Sequence, residues 1–291
     1  MIPDPPPADR LADEWPQHRP AVFGAAYRIL GSVADAEDVT QDVWLRAAGA
    51  DLDEVRNLRA WLVTVAARRA YDVLTSARAR RERYVGPWLP EPLLTGPDAS
   101  EPVLVDESVS TALLLVMEQL TPPERVAFVL HDVLDLDFAA IAEVLGVSAQ
   151  AARQHASRAR RRVRRAASDR AYAGREERTR LLRAFKAAYE SGDLAGLVRL
   201  LDPDVVYTTD GGDQVHAARK PIVGGARVAE VMVRVGGRLR PDRIDLVEVG
   251  GEPALRFVRG GAVFSVDTVE IRDGRITAYR RVLNPDKLAH V

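Results

Sequence analysis

Cysteine is absent from the 291 residues, so disulfides, thiolate-ligated zinc and thiol redox sensing within the chain are excluded. Lysine is scarce, with only Lys186, Lys220 and Lys287 among 41 basic residues. An arginine-dominated set suits bidentate contacts to phosphate and base edges, but a GC-rich genome produces the same bias, and it carries little functional weight. Long apolar runs are also missing. The first twenty residues are proline-rich and charged, without the apolar core of a secretory signal, and no later run reaches membrane-spanning length. A cytoplasmic protein without membrane contact is expected. A large net charge is lacking too, yet the formal value of -1 conceals segregation. Arg78, Arg80, Arg81 and Arg83 form one basic cluster and Arg153 to Arg165 another, while Asp35, Glu37, Asp38 and Asp42 form an acidic stretch. The basic clusters suit nucleic acid and the acidic stretch suits a protein partner.

The length and a hydrophobic fraction of 47% favour two or three domains. Residues 1–18 read as a mobile tail. Val22, Ala26, Ile29 and Leu30 then recur at helical spacing, and Gly31-Ser32 supplies a stop. From Ala34, Val39, Val43 and Ala47 share one face, leaving Asp35, Asp38, Gln41, Asp42 and Arg46 largely on others. A third helix from about Asn57 runs into the arginine cluster, closing an all-α domain over 19–85. Residues 86–109 hold five prolines and read as a linker, although Trp88 and Leu89 are unusual in a flexible spacer: either they dock on a surface or they are chance apolar residues of a loose loop, and composition does not separate the two. A second helical domain follows over 110–168. Over 175–291 a helix precedes short Val-, Ile- and Tyr-rich runs alternating with Gly and Pro turns, which indicates an α+β domain whose curved antiparallel sheet wraps its helices.

The most informative stretch is Phe138 to Ser148. Phe138, Ile141, Ala142 and Leu145 form the inner face of a short helix, Gly146 permits a tight turn, Val147 plugs the angle, and Ser148 caps the next helix. In that next helix Ala149, Ala152, Ala156, Ala159 and Val163 recur at spacings of three and four. Gln150, Arg153, Gln154, Ser157, Arg158 and Arg161 are left on the remaining surface. In a major groove, Arg reads guanine, Gln reads adenine and trailing arginines neutralise phosphate. A solvated basic face would not explain the glycine-turned helix in front of it.

Over essentially its whole length the chain resembles the extracytoplasmic-function (ECF) sigma factors. Ala36 to Arg46 is similar to their region 2.2, which implies that Asp35, Glu37, Asp38, Gln41, Asp42 and Arg46 bind the clamp of the largest subunit of core RNA polymerase. Ala60 to Ala66 and the basic helix after it resemble regions 2.3 and 2.4. By that resemblance Asn57, Arg59, Trp61, Arg68, Arg69, Arg78, Arg80 and Arg81 contact the minus-ten promoter element, and the helix-turn-helix is the region 4 reader of the minus-thirty-five element. Trp61 is flanked by apolar residues and reads as core ahead of base platform. Where many relatives carry Arg-Asn, this chain has Ala67-Arg68.

Three further motifs resemble the ECF subgroup with a fused SnoaL-like domain: Tyr84 to Pro92 in the linker, Asp210-Gly211-Gly212, and Asn284-Pro285-Asp286-Lys287-Leu288. A third glycine usual in that subgroup is Asp213 here. The resemblance implies that the fused domain regulates the factor in cis, so that no separate anti-sigma protein is strictly required. The expected contact is a clasp of Trp88, Leu89 and Pro90 by the C-terminal motifs. SnoaL-like folds also serve as enzymes, and Tyr207, Asp210, His216 and Asp267 would be the groups to share one mouth. Asp-Gly-Gly is equally an ordinary turn, so no catalytic residue, metal or cofactor is expected, and any small ligand of the domain is unknown.

Overall fold

The computed structural model describes residues 7–81, 84–95, 111–168 and 173–291, without the side chains of 7–10, 77–81, 167 and 168. These residues form two compact units. One combines the chain up to Arg80 with Val116–Arg164; the other combines Arg81–Pro102 and Asp106–Leu115 with Arg165–Val291.

The first unit opens with α1 (Pro7–Leu30), α2 (Val33–Ala48) and α3 (Leu58–Arg81). Its core contains Val22, Ala26, Ile29, Val39, Val43, Leu62, Ala66 and Ala70, each at most 1% exposed. Gly31, at φ 67°, ends α1, and the Ser32 hydroxyl accepts the Asp35 amide to start α2. The expected mobile tail is corrected over residues 7–18, which are helical. Pro16 and Pro20 remove amide donors inside α1, but Leu11 is buried, Trp15 meets Trp44 edge-to-face at 5.1 Å, and Arg19 pairs with Glu37 at 2.9 Å. Tertiary contacts offset the weak helix propensity.

Region-4-like helices follow: α4 (Thr111–Glu118), α5 (Pro122–Phe128) running on as a π-helical turn (Val129–Val133), α6 (Phe138–Leu145) and α7 (Ala149–Ser168). Gly146 at φ 66° makes the left-handed turn between α6 and α7. The Ser148 hydroxyl accepts the Ala151 amide, and Ala152, Ala156 and Ala159 are fully buried. Val147 is 37% exposed, so it does not plug the turn as expected; Val144 is the apolar residue buried there, and Phe138 is half-buried.

The second unit holds α8 (Arg175–Ser191), α9 (Leu194–Leu200), β1 (Leu201–Asp210), β2 (Ile222–Val223), α10 (Gly225–Leu239), β3 (Arg243–Val249), β4 (Glu252–Arg259), β5 (Ala262–Arg272) and β6 (Arg275–Val282). The six strands run in the order β2-β1-β6-β5-β4-β3, antiparallel except that β1 and β6 are parallel. Register shifts in β1, between β4 and β5, and between β5 and β6 mark bulges, which bend a sheet. The two faces do different work. One carries Tyr207, Leu255, Phe257, Val269 and Tyr279, packed with Leu182, Phe185 and Met232 of the helices. The other carries Val247, Ala254, Val266 and Val282 and receives Leu89, Leu94 and Leu288, with Leu115 of α4 packed against them.

Candidate functional site

Strand alternation sends Asp210 to the outer face. In the parallel register Asp210 lies beside Val282, and its neighbour Thr209 lies beside Arg281 on the opposite face. Asp210 is fully buried, and its carboxylate accepts four bonds: from the Tyr84 hydroxyl at 2.5 Å, the Leu89 amide at 2.7 Å, the Gly212 amide at 3.2 Å and the Lys287 ammonium at 2.8 Å. Its own carbonyl accepts the amides of Leu283 and Asn284. Lys287 also donates to the Leu89 carbonyl at 2.6 Å and lies 4.2 Å from the Trp88 ring centroid and 5.0 Å from that of Tyr84. Asn284 donates to the Tyr84 hydroxyl at 2.9 Å, and its own side-chain oxygen caps the short 3-10 helix Pro285–Lys287. Burial first, and then the bond to Asp210, raises the Tyr84 phenol above its ordinary range.

Turn geometry makes this hub specific to glycine. A Cβ on Gly211 would stand 2.4 Å from the Val215 carbonyl, and Gly212 sits at φ 59° against the Asn284 amide. Further along, Leu94 bridges to Val249, the Thr95 amide donates to the Glu248 carbonyl, and His290 meets the Pro92 carbonyl. Pro90 and Leu288 are buried, Pro285 begins the cap, and Asp286 accepts from Gln214. Leu89 and Leu94 are each under 9% exposed, which at about 1.5–3 kcal/mol per buried aliphatic side chain makes the linker a stably docked segment. Every residue of the three C-terminal-subgroup motifs proposed as a regulatory contact therefore lies in one neighbourhood.

The inner face has a second polar cluster, and it does not include Asp210. Asp267 accepts from Ser265 at 2.9 Å, Tyr279 at 2.6 Å and Arg281 at 2.8 Å, all four residues being fully buried. The Arg281 guanidinium carbon lies 4.6 Å from the Phe257 ring centroid. His216 is exposed on the outer loop, so the four groups considered for a catalytic mouth are divided between two faces. Burial pushes the Tyr207 phenol up to about 12 and the Tyr279 phenol well above its ordinary range. A folded-state value above that of the unfolded chain gives stability that is full below pH 10 and is lost as pH rises towards 12. At about 1.4 kcal/mol per pH unit, Tyr207 accounts for roughly 3 kcal/mol of alkaline loss. Tyr207→Phe should remove that share, read by hydrogen exchange of the β1 amides at neutral and alkaline pH after correction for intrinsic exchange.

In the first unit the acidic face of α2 borders a cleft of about 340 Å³ lined by Asp35, Asp38, Asp42, Arg69 and Asp72. Asp42 pairs with Arg69 at 2.6 Å and Glu37 with Arg19, while Gln41 and Arg46 are exposed. The sequence reading missed Leu45. It is 68% exposed, and the signal was its position out of phase with Val39, Val43 and Ala47. On α3, the Asn57 side chain caps the helix through the Ala60 amide, Arg59 is exposed, and Trp61 is half-buried. Arg68 donates to the Glu143 carbonyl in the last turn of α6. The side chains of Arg78, Arg80 and Arg81 lie outside the described residues. On α7, Gln150, Arg153, Gln154, Ser157, Arg158 and Arg161 are all exposed along the helix, Arg153 being 5.0 Å from the Phe138 ring. Arg160 is committed to Asp132 and Arg162 to Glu124.

Among the described residues no helix is long and apolar enough to cross a membrane, and no group of three or more His, Cys, Asp or Glu is placed to hold a metal. The sigma-70 region 2 family matches residues 16–80 and the sigma-70 region 4 family residues 110–163. Together these define a transcription initiation factor of the sigma-70 class. The ECF RNA polymerase sigma factor SigJ of Mycobacterium tuberculosis is 39% identical over 94% of this chain and 92% of its own. The probable ECF sigma factor SigI of the same species is 32% identical over 96% and 95%. The crystal structure of SigJ superposes with a TM-score of 0.75 at 35% identity, covering 96% of this chain and 98% of SigJ. The chain belongs to the ECF RNA polymerase sigma factors, in the subgroup carrying a SnoaL-like C-terminal domain. It binds RNA polymerase and promoter DNA and directs transcription initiation.

Proposed function

We propose that the C-terminal domain regulates this sigma factor in cis by holding the linker between its two DNA-binding helical bodies. The observation that carries this reading is Asp210, a buried carboxylate shared between its own turn, the linker and the C-terminal motif. A linker held along Tyr84 to Thr95 has less chain free to set the separation of regions 2 and 4, which promoter spacing demands. Deleting residues 284–291 removes Asn284 and Lys287 and should change promoter output with purified core polymerase, leaving the helices of regions 2 and 4 folded by circular dichroism. Unchanged output would refute the regulatory role.

On this reading Asp35, Glu37, Asp38, Gln41, Asp42 and Arg46, with Leu45 added, meet the clamp of the largest polymerase subunit. Asn57, Arg59, Trp61, Arg68, Arg69 and the basic end of α3 serve the minus-ten element. The exposed face of α7 reads the minus-thirty-five element. Arg153→Ala or Gln154→Ala should relax base preference there by about 1–3 kcal/mol, whereas Arg161→Ala should weaken binding on all sequences and lower the salt slope by about one. Titration of matched and mismatched duplexes at several salt concentrations separates the two. Equal losses on every sequence for all three variants would remove the reading face from α7.

The C-terminal domain acts as a regulator without catalysis of its own. Asp267, the inner-face carboxylate, has its acceptor oxygens engaged by three donors and no exposure to solvent, which makes it unavailable as a general base. Action in cis makes a separate anti-sigma protein dispensable, and work on RNA polymerase places the factor in the cytoplasm.

A further inference from the structure

The geometry points to a small-molecule site at the seam between linker and C-terminal domain: the cavity under Val85, Gly86 and Pro87 binds a small carboxylic acid that carries its own hydrogen-bond donor. The cavity measures about 260 Å³, room for roughly eight to ten non-hydrogen atoms by the volume of liquid water. One wall is the linker and the other is the loop from Thr209 to Arg219. Gly86, at φ 82°, bends the linker over the Arg219 backbone, and Val85 remains 40% exposed although Tyr84 before it is bonded to Asp210.

Charge at the mouth sets the ligand class. Around the Asp210 hub the polar side chains are committed to one another, and Gln214 is committed to Asp286. His216, Arg219 and Asp213 line the same cavity, are exposed, and have no hydrogen-bond or ion-pair partner among the described residues. Arg219 and His216 suit a carboxylate, and Asp213 suits a hydroxyl or ammonium on the same molecule. A plain anion would meet Asp213 as a repulsive charge, which favours a hydroxy or amino acid over phosphate or sulfate. A ligand touching both walls stabilises the docked linker by its differential affinity for that state, so this site would be the input to the regulation proposed above, on which it rests.

Isothermal titration of the full chain with L-malate and L-aspartate tests the assignment, with succinate as the acid lacking a donor and sodium chloride at matched ionic strength as control. We expect saturable binding of malate or aspartate, at least fivefold weaker binding of succinate, and at least tenfold weakening in Arg219→Gln. Asp213→Asn should erase the preference over succinate. The bound acid should also slow proteolysis between residues 84 and 95. Absence of saturable binding, equal binding by Arg219→Gln, or succinate binding as tightly as the other two would overturn the site. If Lys287→Met frees the linker while neither acid binds, the ligand assignment falls and the clasp stands. If the acids bind but neither they nor Lys287→Met alter linker cleavage, the clasp falls.

Discussion

Lys287→Met should free the linker and cost the second unit about 3–5 kcal/mol, the range expected when one member of a buried ion pair is removed. Lys287 and Asp210 are both buried, and the ammonium is the one charged group on that carboxylate, its other donors being a phenol and two amides. Removing the ammonium strands a negative charge behind Leu89 and Tyr84 and takes away the donor on the Leu89 carbonyl. Cleavage by protease between residues 84 and 95 should accelerate by at least tenfold. Asp210→Asn in the same chain keeps an acceptor but removes the stranded charge, so the double variant should recover part of the loss. Protease protection equal to that of the unaltered chain would show that the linker is held without the Lys287–Asp210 pair. Promoter output measured on the same variants ties the clasp to transcription, since regions 2 and 4 retain all their residues.

The parts of the fold legible in the sequence are those that local periodicity determines. Ala152, Ala156 and Ala159 recur at helical spacing and are buried along α7, and Gly146 marks the turn because few other residues tolerate its left-handed backbone. Trp88 and Leu89 were out of place in a solvated linker, and the structure provides the apolar face that receives Leu89. Less legible was α1 before residue 19, where prolines conceal a helix held by Leu11 and Trp15. The pairing of β1 with β6 joins strands more than sixty residues apart, and no short-range pattern reveals that it is parallel. The same blindness to register hid the separation of Asp210 from Asp267. Tyr84 was visible as the first residue of the linker motif, but its bond to Asp210 spans 126 positions and depends on the docked path.

A double substitution at the inner cluster separates structure from chemistry there. Asp267→Leu alone leaves the Arg281 guanidinium fully buried without its carboxylate and should cost about 3–5 kcal/mol in opening of the β5 and β6 amides, read by hydrogen exchange of the full chain. Arg281→Met alone leaves Asp267 with only Ser265 and Tyr279 as side-chain donors and should cost a similar amount. Both changes together remove the pair and place apolar groups among Phe257, Phe185 and Tyr279, so the double variant should lie well above the sum of the singles and within about 2 kcal/mol of the parent. Additive losses would mean that each residue serves independent partners. A double variant that is stable, docks its linker and retains promoter output would assign Asp267 and Arg281 to the architecture of the domain. One that is stable but has lost regulation would show that the interior transmits a signal to the outer face, through the alternation that sets Arg281 beside Val282 and Thr209 beside Asp210.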